Sequence, residues 1–596
     1  MDALYSPPAH YRVLSSCGLC GDALQPSDPF VALLGHPNLD KIETCSTVPC
    51  SFPHDGFKTL QHRTNLEFCR VSPCPLCDAS PEAVPLHKEC LVLFGRWCTS
   101  EDALDRLWGF AAARSPWRGA PDLGLPETSS LASHPGPQVA AAAGLAPLAT
   151  RLPLELVQQI RGLTGPCLFW RYSAAVSAAL RLSDESREAA AAAAAPEPPV
   201  APVPLARIAE WRRGHRPVVV EEDAAAALPP VIRITVDARG AASIERLAQM
   251  AQESGQKSAT KAFIVWEASS FRDTAAVFKF GAMRLQFPGG PLAVPIWDTP
   301  TPPTPPSCSN LGARPQLCTI ELAHSGGART TGLTFLYFRC RLYGVHAHTA
   351  AEPSARATND RLPTSVRRKT IWVHLPLPEG EEILSMAVQL GPRGKPRFLF
   401  RLKLAGLVSL GPNHGEQGSP RFTICPSPPK LLYYNKATGT NPTSGIAASP
   451  RHSDGQPPGG GQETRPWPPQ RYPDLLNGNS YASTVSLEDV RAITVLSNAN
   501  GGCTGALFEY ESGAVAAVGV CRVGEQSQTR VDNPTHITLQ NAIAAPAGTG
   551  FSFAAHSVPG FDTPQLHAGV QYLPMQGSLA FLFKDHRMVV VVYNPV

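Results

Sequence analysis

The chain has 596 residues, of which 43% are hydrophobic and 17% charged, and this composition supports packed cores and excludes a wholly disordered protein. At ~150 residues per domain there is room for roughly three or four domains. The 52 basic and 48 acidic residues give a net charge of +4 that is spread along the chain. Nucleic-acid binding needs a concentrated basic stripe, so we expect no nucleic-acid partner.

The hydropathy pattern predicts no membrane contact. No stretch approaches the ~18 consecutive apolar residues of a spanning helix. The first ten residues are polar and interrupted by prolines, unlike a secretory signal. We therefore expect the protein in the cytoplasm or the nucleus.

The cysteines are concentrated near the N-terminus. Nine of the 16 precede residue 99, namely Cys17, Cys20, Cys45, Cys50, Cys69, Cys74, Cys77, Cys90 and Cys98. Clustered cysteines in a reducing compartment usually bind metal, and a Cys-x-x-Cys pair supplies two zinc ligands from one tight turn. Three such two-ligand units are present, and they predict a small zinc-binding α+β domain over 1–114. The predicted ligands of the structural Zn²⁺ are Cys17, Cys20, Cys74, Cys77, His87 and Cys90.

Spacing alone leaves the pairing of these units open. We favour one site made of Cys17, Cys20, His87 and Cys90, which would close the domain end to end. Cys74 and Cys77 would then take two further ligands, and the candidates for these are Cys45, Cys50, His54 and Cys69. A local alternative joins Cys74 and Cys77 to His87 and Cys90. Because all candidate ligands are Cys or His, the pattern favours closed structural sites.

A short helical hairpin is predicted over 148–187. In its first part Leu152, Leu156, Val157 and Ile160 fall on one helical face, and Pro153 suits a first helical turn. A second apolar stretch follows between residues 167 and 182. Residues 188–204 consist largely of alanine and proline. The alanine run could extend a helix, which the prolines would end, and we interpret the segment as a linker.

From residue 205 the apolar pattern changes to the alternation of strands. Ile232, Ile234 and Val236 show it clearly, and no strong helical periodicity follows. We predict a mainly-β domain over 205–436, a disordered proline- and glycine-rich linker over 437–481, and a C-terminal β segment over 482–596. The fold class is therefore multidomain, with a sandwich or β-prism-like C-terminal region. Because an isolated final sheet would leave an edge or an apolar face in water, we expect 205–436 and 482–596 to pack as one assembly.

No catalytic constellation stands out, and we predict that the chain is not an enzyme. Nucleophile-elbow, metalloprotease and phosphate-loop motifs are missing from the sequence. His346 and His348 could share one face of a strand. Without a third ligand nearby in the sequence, we interpret them as surface or loop histidines.

The N-terminal third resembles a group of filamentous-fungal F-box-type proteins. The matching stretches are CGLCG (17–21), HKECLVLF (87–94) and RLPLELVQQIRGL (151–163), and GPCLFWRYSAAVSAALRLS (165–183) resembles the remainder of such a segment. The resemblance implies zinc binding and a helical segment that docks on the adaptor subunit of a cullin-type ubiquitin ligase.

A second resemblance concerns the β region. LPEGEEILSMAVQL (377–390) and RFLFRLKLAGLVSLGP (397–412) resemble the cadence of jacalin-like β-prism domains. Our leading hypothesis is a non-catalytic protein-interaction adaptor, of the F-box-like kind that serves as the substrate-recognition subunit of a cullin-type ubiquitin ligase. The alternative is a lectin-like or ligand-binding β protein in which the zinc module is a scaffold.

Overall fold

The computed structural model describes most of the chain, with gaps between the described ranges. The described residues are 8–35, 45–62, 64–71, 74–126, 140–141, 151–164, 167–191, 201–251, 256–271, 273–287, 294–303, 316–322, 329–413, 420–438, 441–451, 480–499, 501–540, 552–557, 570–584 and 587–594. They fall into two compact units, of which the first extends to Pro302 and includes Gln316, and the second continues from Leu317.

The first unit contains six helices and sixteen strands among its described residues. Strands β1–β16 are Ala9–Arg12, Pro29–Gly35, Cys45–Ser46, Cys50–Ser51, Lys58–Gln61, Leu66–Cys69, Glu82–His87, Val203–Pro204, Ile208–Arg212, Val218–Val219, Val231–Asp237, Gly240–Leu247, Ala262–Glu267, Ala275–Lys279, Ala282–Gln286 and Ile296–Trp297. Helices α1–α6 are Pro75–Ala79, Lys88–Trp97, Ala103–Ala112, Leu154–Thr164, Leu168–Ala191 and Glu222–Ala225.

Small sheets organise the N-terminal part of this unit. The strand order β1-β6-β5 forms one sheet, and β2 pairs with β3, β4 and β7 in another. Helices α2, α3 and α5 pack together around a core that includes Phe94, Trp108 and Leu182. Farther along the chain, β10-β9-β12-β11-β13-β16 are successive neighbours, and β15-β14-β8 forms a separate sheet. The predicted alternation of β11 is confirmed, since Ile232, Ile234 and Val236 all enter the core.

The two predicted helices of the hairpin are present as α4 and α5, but α5 is longer than expected. It runs to Ala191 and so enters the segment predicted as a linker over 188–204. The alanines continue the helix because alanine has the highest helix propensity. At the other end of that segment β8 pairs Val203 with Ala276. Residues 192–200 lie outside the described residues.

The second unit is built almost entirely of strands. Its strands β17–β36 are Gln316–Glu321, Gly332–Phe338, Arg341–His348, Ile371–Pro376, Ile383–Gly391, Lys395–Leu402, Gly406–Leu410, Arg421–Cys425, Pro429–Asn435, Ile446–Pro450, Tyr481–Ser486, Val490–Ser497, Cys503–Tyr510, Val515–Gly519, Ser527–Asp532, His536–Gln540, Ser552–His556, Val570–Pro574, Ser578–Lys584 and Arg587–Asn594. The described part of this unit also contains two short helices, α7 (Arg356–Asp360) and α8 (Thr364–Arg367). The fold as a whole is mainly β.

Several antiparallel sheets make up this unit. The strand orders are β19-β18-β20, β23-β22-β21-β24, β17-β25-β26, β27-β35-β36, β30-β29-β28-β31 and β33-β32-β34. Strand β26 lies inside the segment predicted as a linker over 437–481. It forms because Ala447 and Ser449 are buried against β25, a short alternation that the surrounding proline-rich composition concealed. Residues 452–479 lie outside the described residues.

The unit boundary falls inside the segment predicted as one domain over 205–436. Strands β9–β16 belong to the unit that carries the cysteine-rich region. The C-terminal strands instead share a core with residues 317–451. The aromatic ring of Tyr481 stacks on that of Phe583 with centroids 5.4 Å apart, and lies edge-on to Tyr337 at 5.6 Å.

Among the helices that the structure describes, none combines the length and the apolar character needed to cross a membrane.

His346 and His348 are buried in the second unit, so their interpretation as surface or loop residues is wrong. They lie on β19, and His374 on β20 is close to His348, with ring centroids 4.9 Å apart. The hydroxyl of Thr334 lies between the two strands, 2.7 Å from His348 Nε2 and 3.0 Å from His374 Nδ1. Burial lowers the pKa of both His348 and His374, and the neighbouring His348 lowers that of His374 further.

With both rings neutral, these contacts form one continuous chain of hydrogen bonds. His348 Nδ1 lies 2.9 Å from the carbonyl oxygen of Pro353, so it carries the proton and donates. Nε2 of His348 is then an acceptor and receives the hydroxyl proton of Thr334, whose oxygen accepts from His374 Nδ1–H. A proton added to His348 Nε2 would end its role as acceptor, so the Thr334 hydroxyl would have to turn away, and the added charge would be buried.

We expect the second unit to lose stability in mild acid. Because the pKa of His374 and of His348 is lower in the folded state, this stability is complete above pH ~6.5 and decreases below it, by up to ~1.4 kcal/mol per pH unit for each histidine. Urea unfolding of the full chain between pH 8 and pH 5 measures this slope. His374→Gln should flatten it, whereas His215→Gln, at an exposed histidine, should leave it unchanged. Equal slopes in the two variants would contradict this assignment.

Candidate metal centres

Among the residues that the structure describes, two groups of cysteine and histidine side chains come together in the first unit. Site A consists of Cys17, Cys20, His87 and Cys90. Site B consists of His10, Cys69, Cys74 and Cys77. Within each group the four potential ligand atoms lie within 4.8 Å of one another, so each group can hold a metal ion.

The first two residues of site A come from a tight loop between β1 and β2. The amide of Gly21 donates to the carbonyl of Cys17 at 2.9 Å, and Gly21 has a φ of 82°, in the left-handed region that glycine adopts without strain. The amide of Gly18 donates to the carbonyl of Pro85 at 2.9 Å, which holds the loop against β7. A Cβ at Gly18 would lie 2.5 Å from Val84 Cγ1, so this approach requires glycine.

The other two residues of site A lie where β7 passes into α2. His87 is the last residue of β7 and the N-cap of α2, and Cys90 follows in the first helical turn. The strand end and the first turn direct both side chains toward the loop. His87 Nδ1 is 3.4 Å from Cys20 Sγ and 3.8 Å from Cys90 Sγ, and the His87 amide is 3.4 Å from Cys17 Sγ.

These separations suit tetrahedral coordination. With Zn–S bonds of ~2.3 Å and Zn–N bonds of ~2.0 Å, tetrahedral ligand atoms lie roughly 3.5–3.8 Å apart. The ligands are also secluded, since Cys17 and Cys90 are 0% exposed, His87 is 1% and Cys20 is 3%. Site A therefore has the geometry of a closed site within a protein core.

Site B joins a three-stranded sheet to a short helix. His10 lies on β1 and Cys69 ends β6, which runs parallel to β1. Cys74 is the N-cap of α1, Pro75 is its first residue, and Cys77 follows within it. His10 Nδ1 is 3.0 Å from Cys77 Sγ and 3.9 Å from Cys74 Sγ. Cys74 is half-buried, whereas the other three ligands of this site are buried.

In both groups the thiols lie so close together that ionisation of one opposes ionisation of the others. Burial acts to raise the pKa of Cys17, but hydrogen bonds from Cys20 and Cys90 outweigh it and bring that pKa well below its ordinary value. The hydrogen bond to Cys17 raises the pKa of Cys20, and bonds to Cys17 and Cys20 raise that of Cys90. In site B, burial and the charge of Cys69 raise the pKa of Cys77. A bound cation would remove this conflict by stabilising all the thiolates together.

An arginine connects the loop of site A with the strands that follow later in the chain. Arg114 Nε donates to the Gly18 carbonyl at 2.7 Å, and Nη2 donates to that of Leu19 at 3.0 Å. Nη1 donates to the carbonyl of Ala238, between β11 and β12, at 2.9 Å. One side chain thus satisfies two carbonyls of the ligand loop and one of the β region.

The structure brings all six predicted ligands into the two groups. It forms the grouping that we favoured for site A, and it separates the residues of the local alternative. Of the four open candidates for the second site, Cys69 takes part. Cys50 lies in a different core and donates to the Val48 carbonyl, His54 is exposed, and the side chain of Cys45 lies outside the described residues.

His10 is the ligand candidate that sequence reasoning missed. It precedes the first Cys-x-x-Cys pair and has no cysteine or histidine at metal-ligand spacing. The available signal was alternation along Ala9-His10-Tyr11-Arg12, which puts His10 on the opposite face from the buried Tyr11.

Comparison with known proteins adds no relative, because no protein-family model and no curated protein matches this sequence.

We expect the full chain, purified under reducing conditions, to carry two metal ions. Cys77→Ser should remove the ion of site B alone, because Cys77 belongs to the ligand group of site B and not to that of site A. Cys50→Ser, a matched change at a buried cysteine outside both groups, should retain both ions. Elemental analysis against protein concentration gives the stoichiometry. Loss of metal in Cys50→Ser equal to that in Cys77→Ser would contradict the assignment.

Proposed function

We propose that the N-terminal region is a structural module with two zinc ions, and that the chain is a non-catalytic protein-interaction adaptor. The observation that carries the proposal is the ligand chemistry, since each site offers three thiols and one imidazole in a space that fits a single ion. Four protein ligands leave no position for a substrate or an activated water, which is typical of structural zinc.

The donor set supports zinc as the metal. Thiolate and imidazole together suit Zn²⁺, whereas Ca²⁺ and Mg²⁺ prefer oxygen ligands. Zinc also fits a tetrahedral Cys3His arrangement without any redox chemistry. Metal binding would contribute directly to folding, because the N-terminal region is made of short strands and short helices.

The surface proposed for partner binding is the α4–α5 hairpin. One side of α5 is fixed, because Ala175, Ala179 and Leu182 belong to the same core cluster as Cys90 of site A. The other part of the hairpin presents apolar side chains to solvent. Leu156 is 43% exposed, Leu163 is 89% and Leu168 is 57%. Exposed leucines concentrated on one helical hairpin favour a protein-docking role for it.

The resemblance to F-box-type proteins identifies the partner that we propose for this surface, the adaptor subunit of a cullin-type ubiquitin ligase. In this proposal the zinc ion of site A fixes α2 through Cys90, α2 supports α5, and the hairpin docks the adaptor. The β strands of the second unit would recognise the target protein. Such a role belongs in the cytoplasm or the nucleus.

We expect the purified full chain to bind the purified adaptor subunit, and the double variant Leu156→Asp with Leu163→Asp to lose at least about tenfold in affinity, since each charge would be desolvated in the complex. Leu104→Asp is the matched control, because Leu104 is 39% exposed on α3, outside the hairpin. Calorimetric titration measures the affinities, and zinc content verifies that the variants are folded.

Two outcomes would contradict this partner. The wild-type chain could show no binding to the adaptor at tens of micromolar, or the Leu104→Asp control could lose affinity to the same extent as the double variant.

A further inference from the structure

The sheet β1-β6-β5 has two chemically different faces. Tyr11 and Phe68, paired across β1 and β6, point into an aromatic core with Phe30. Since side chains alternate along a strand, their neighbours His10 and Glu67 point to the opposite face. His10 and Glu67 are themselves paired in the strand register.

This second face carries a row of ionisable groups beside site B. Glu67 Oε1 lies 3.4 Å from His10 Nε2 and 3.1 Å from Lys58 Nζ. The side chain of His10 is 5% exposed and that of Glu67 is 16%, whereas that of Lys58 is 43%. The carboxylate therefore lies between a buried imidazole and a cation at the surface.

The two nitrogens of His10 face different partners. Nδ1 points to the thiols, 3.0 Å from Cys77 Sγ, while Nε2 points to Glu67. The Nε2 contact is a few tenths of an ångström longer than an ordinary hydrogen bond of ~3.0 Å. For Nδ1 to offer its lone pair to a metal, the proton of the neutral ring must be on Nε2, on the side of the carboxylate.

We propose that Glu67 is a positioning residue of site B, which accepts the Nε2 proton of His10 and thereby fixes the tautomer and the ring orientation needed for metal binding at Nδ1. This inference rests on the proposed zinc module and deepens it. Carboxylates that hold a metal-bound histidine in this way typically contribute 10- to 100-fold to metal affinity. Lys58 forms an ion pair with the same carboxylate from the solvent side.

The test is zinc competition with a chromogenic chelator on the full chain, in which site A serves as an internal reference. Glu67→Ala should weaken one of the two zinc ions about 10- to 100-fold and leave the other unchanged. Glu67→Gln should retain most of the affinity, because its amide oxygen can still accept from Nε2–H. Lys58→Ala, which removes the second partner of Glu67, should change the affinity by less than about threefold.

A spectroscopic readout separates positioning from general destabilisation. In the chain loaded with Co²⁺, Glu67→Ala should shift the visible bands of one ion only, because the ring of His10 reorients, and Glu67→Gln should restore them. Two unchanged zinc affinities in Glu67→Ala would overturn the inference, and so would equal weakening of both ions. A wild-type chain that binds no zinc would instead overturn the proposed function from which the inference starts.

Discussion

The conflict of charge among buried thiols is the constraint on which the N-terminal unit depends. In site A three thiols and one imidazole are almost fully buried within 4.8 Å, and one thiolate already opposes ionisation of the other two. Such a group is unfavourable in a protein core unless a cation neutralises it. The surrounding core, with Phe94 of α2, Trp108 of α3 and Leu182 of α5, is assembled around these ligands.

The same unit continues into the strands that follow the hairpin. Arg284 on β15 forms two hydrogen bonds, at 2.8 and 2.9 Å, with the carboxylate of Glu82 at the start of β7. A Cβ at Gly240 would lie 1.8 Å from the carbonyl oxygen of Ala113, so the turn before β12 requires glycine where it meets the end of α3. With the hydrogen bonds of Arg114, these contacts join the ligand-bearing region to β11–β15. The cysteine-rich segment is therefore part of a larger unit, although its sequence reads as a separate domain.

Local spacing made most of the candidate site predictable. The pairs at Cys17, Cys74 and His87 each carry their second ligand three residues later, where one turn brings both together. His10 could not be found in this way, because its partners are brought to it by the parallel pairing of β1 with β6, a contact between distant parts of the chain. For the further ligands of site B the sequence offered four equivalent candidates. Cys69 is the one that takes part, because the pairing of β6 with β1 places it beside His10.

Strands and helices were predictable where the apolar residues recur regularly over a long stretch, as in β11 and α4. The ends of the elements and the domain boundaries were not predictable. Composition indicated a linker in the alanine run, where α5 continues, and around Ile446, where β26 forms. Helix propensity continues α5 through the alanines, and pairing with β25 stabilises β26, a contact that composition does not report. The division between the two units was not predictable either. It depends on contacts between distant parts of the chain, such as that of Arg284 with Glu82, which join β14 and β15 to the cysteine-rich segment.

The most direct test of this account is X-ray absorption at the zinc edge of the purified full chain. The account predicts an average shell of three sulfur atoms at ~2.3 Å and one nitrogen atom at ~2.0 Å per zinc, because sites A and B have the same Cys3His composition. A shell of oxygen and nitrogen atoms without sulfur, or two sulfur atoms with two light atoms, would contradict it.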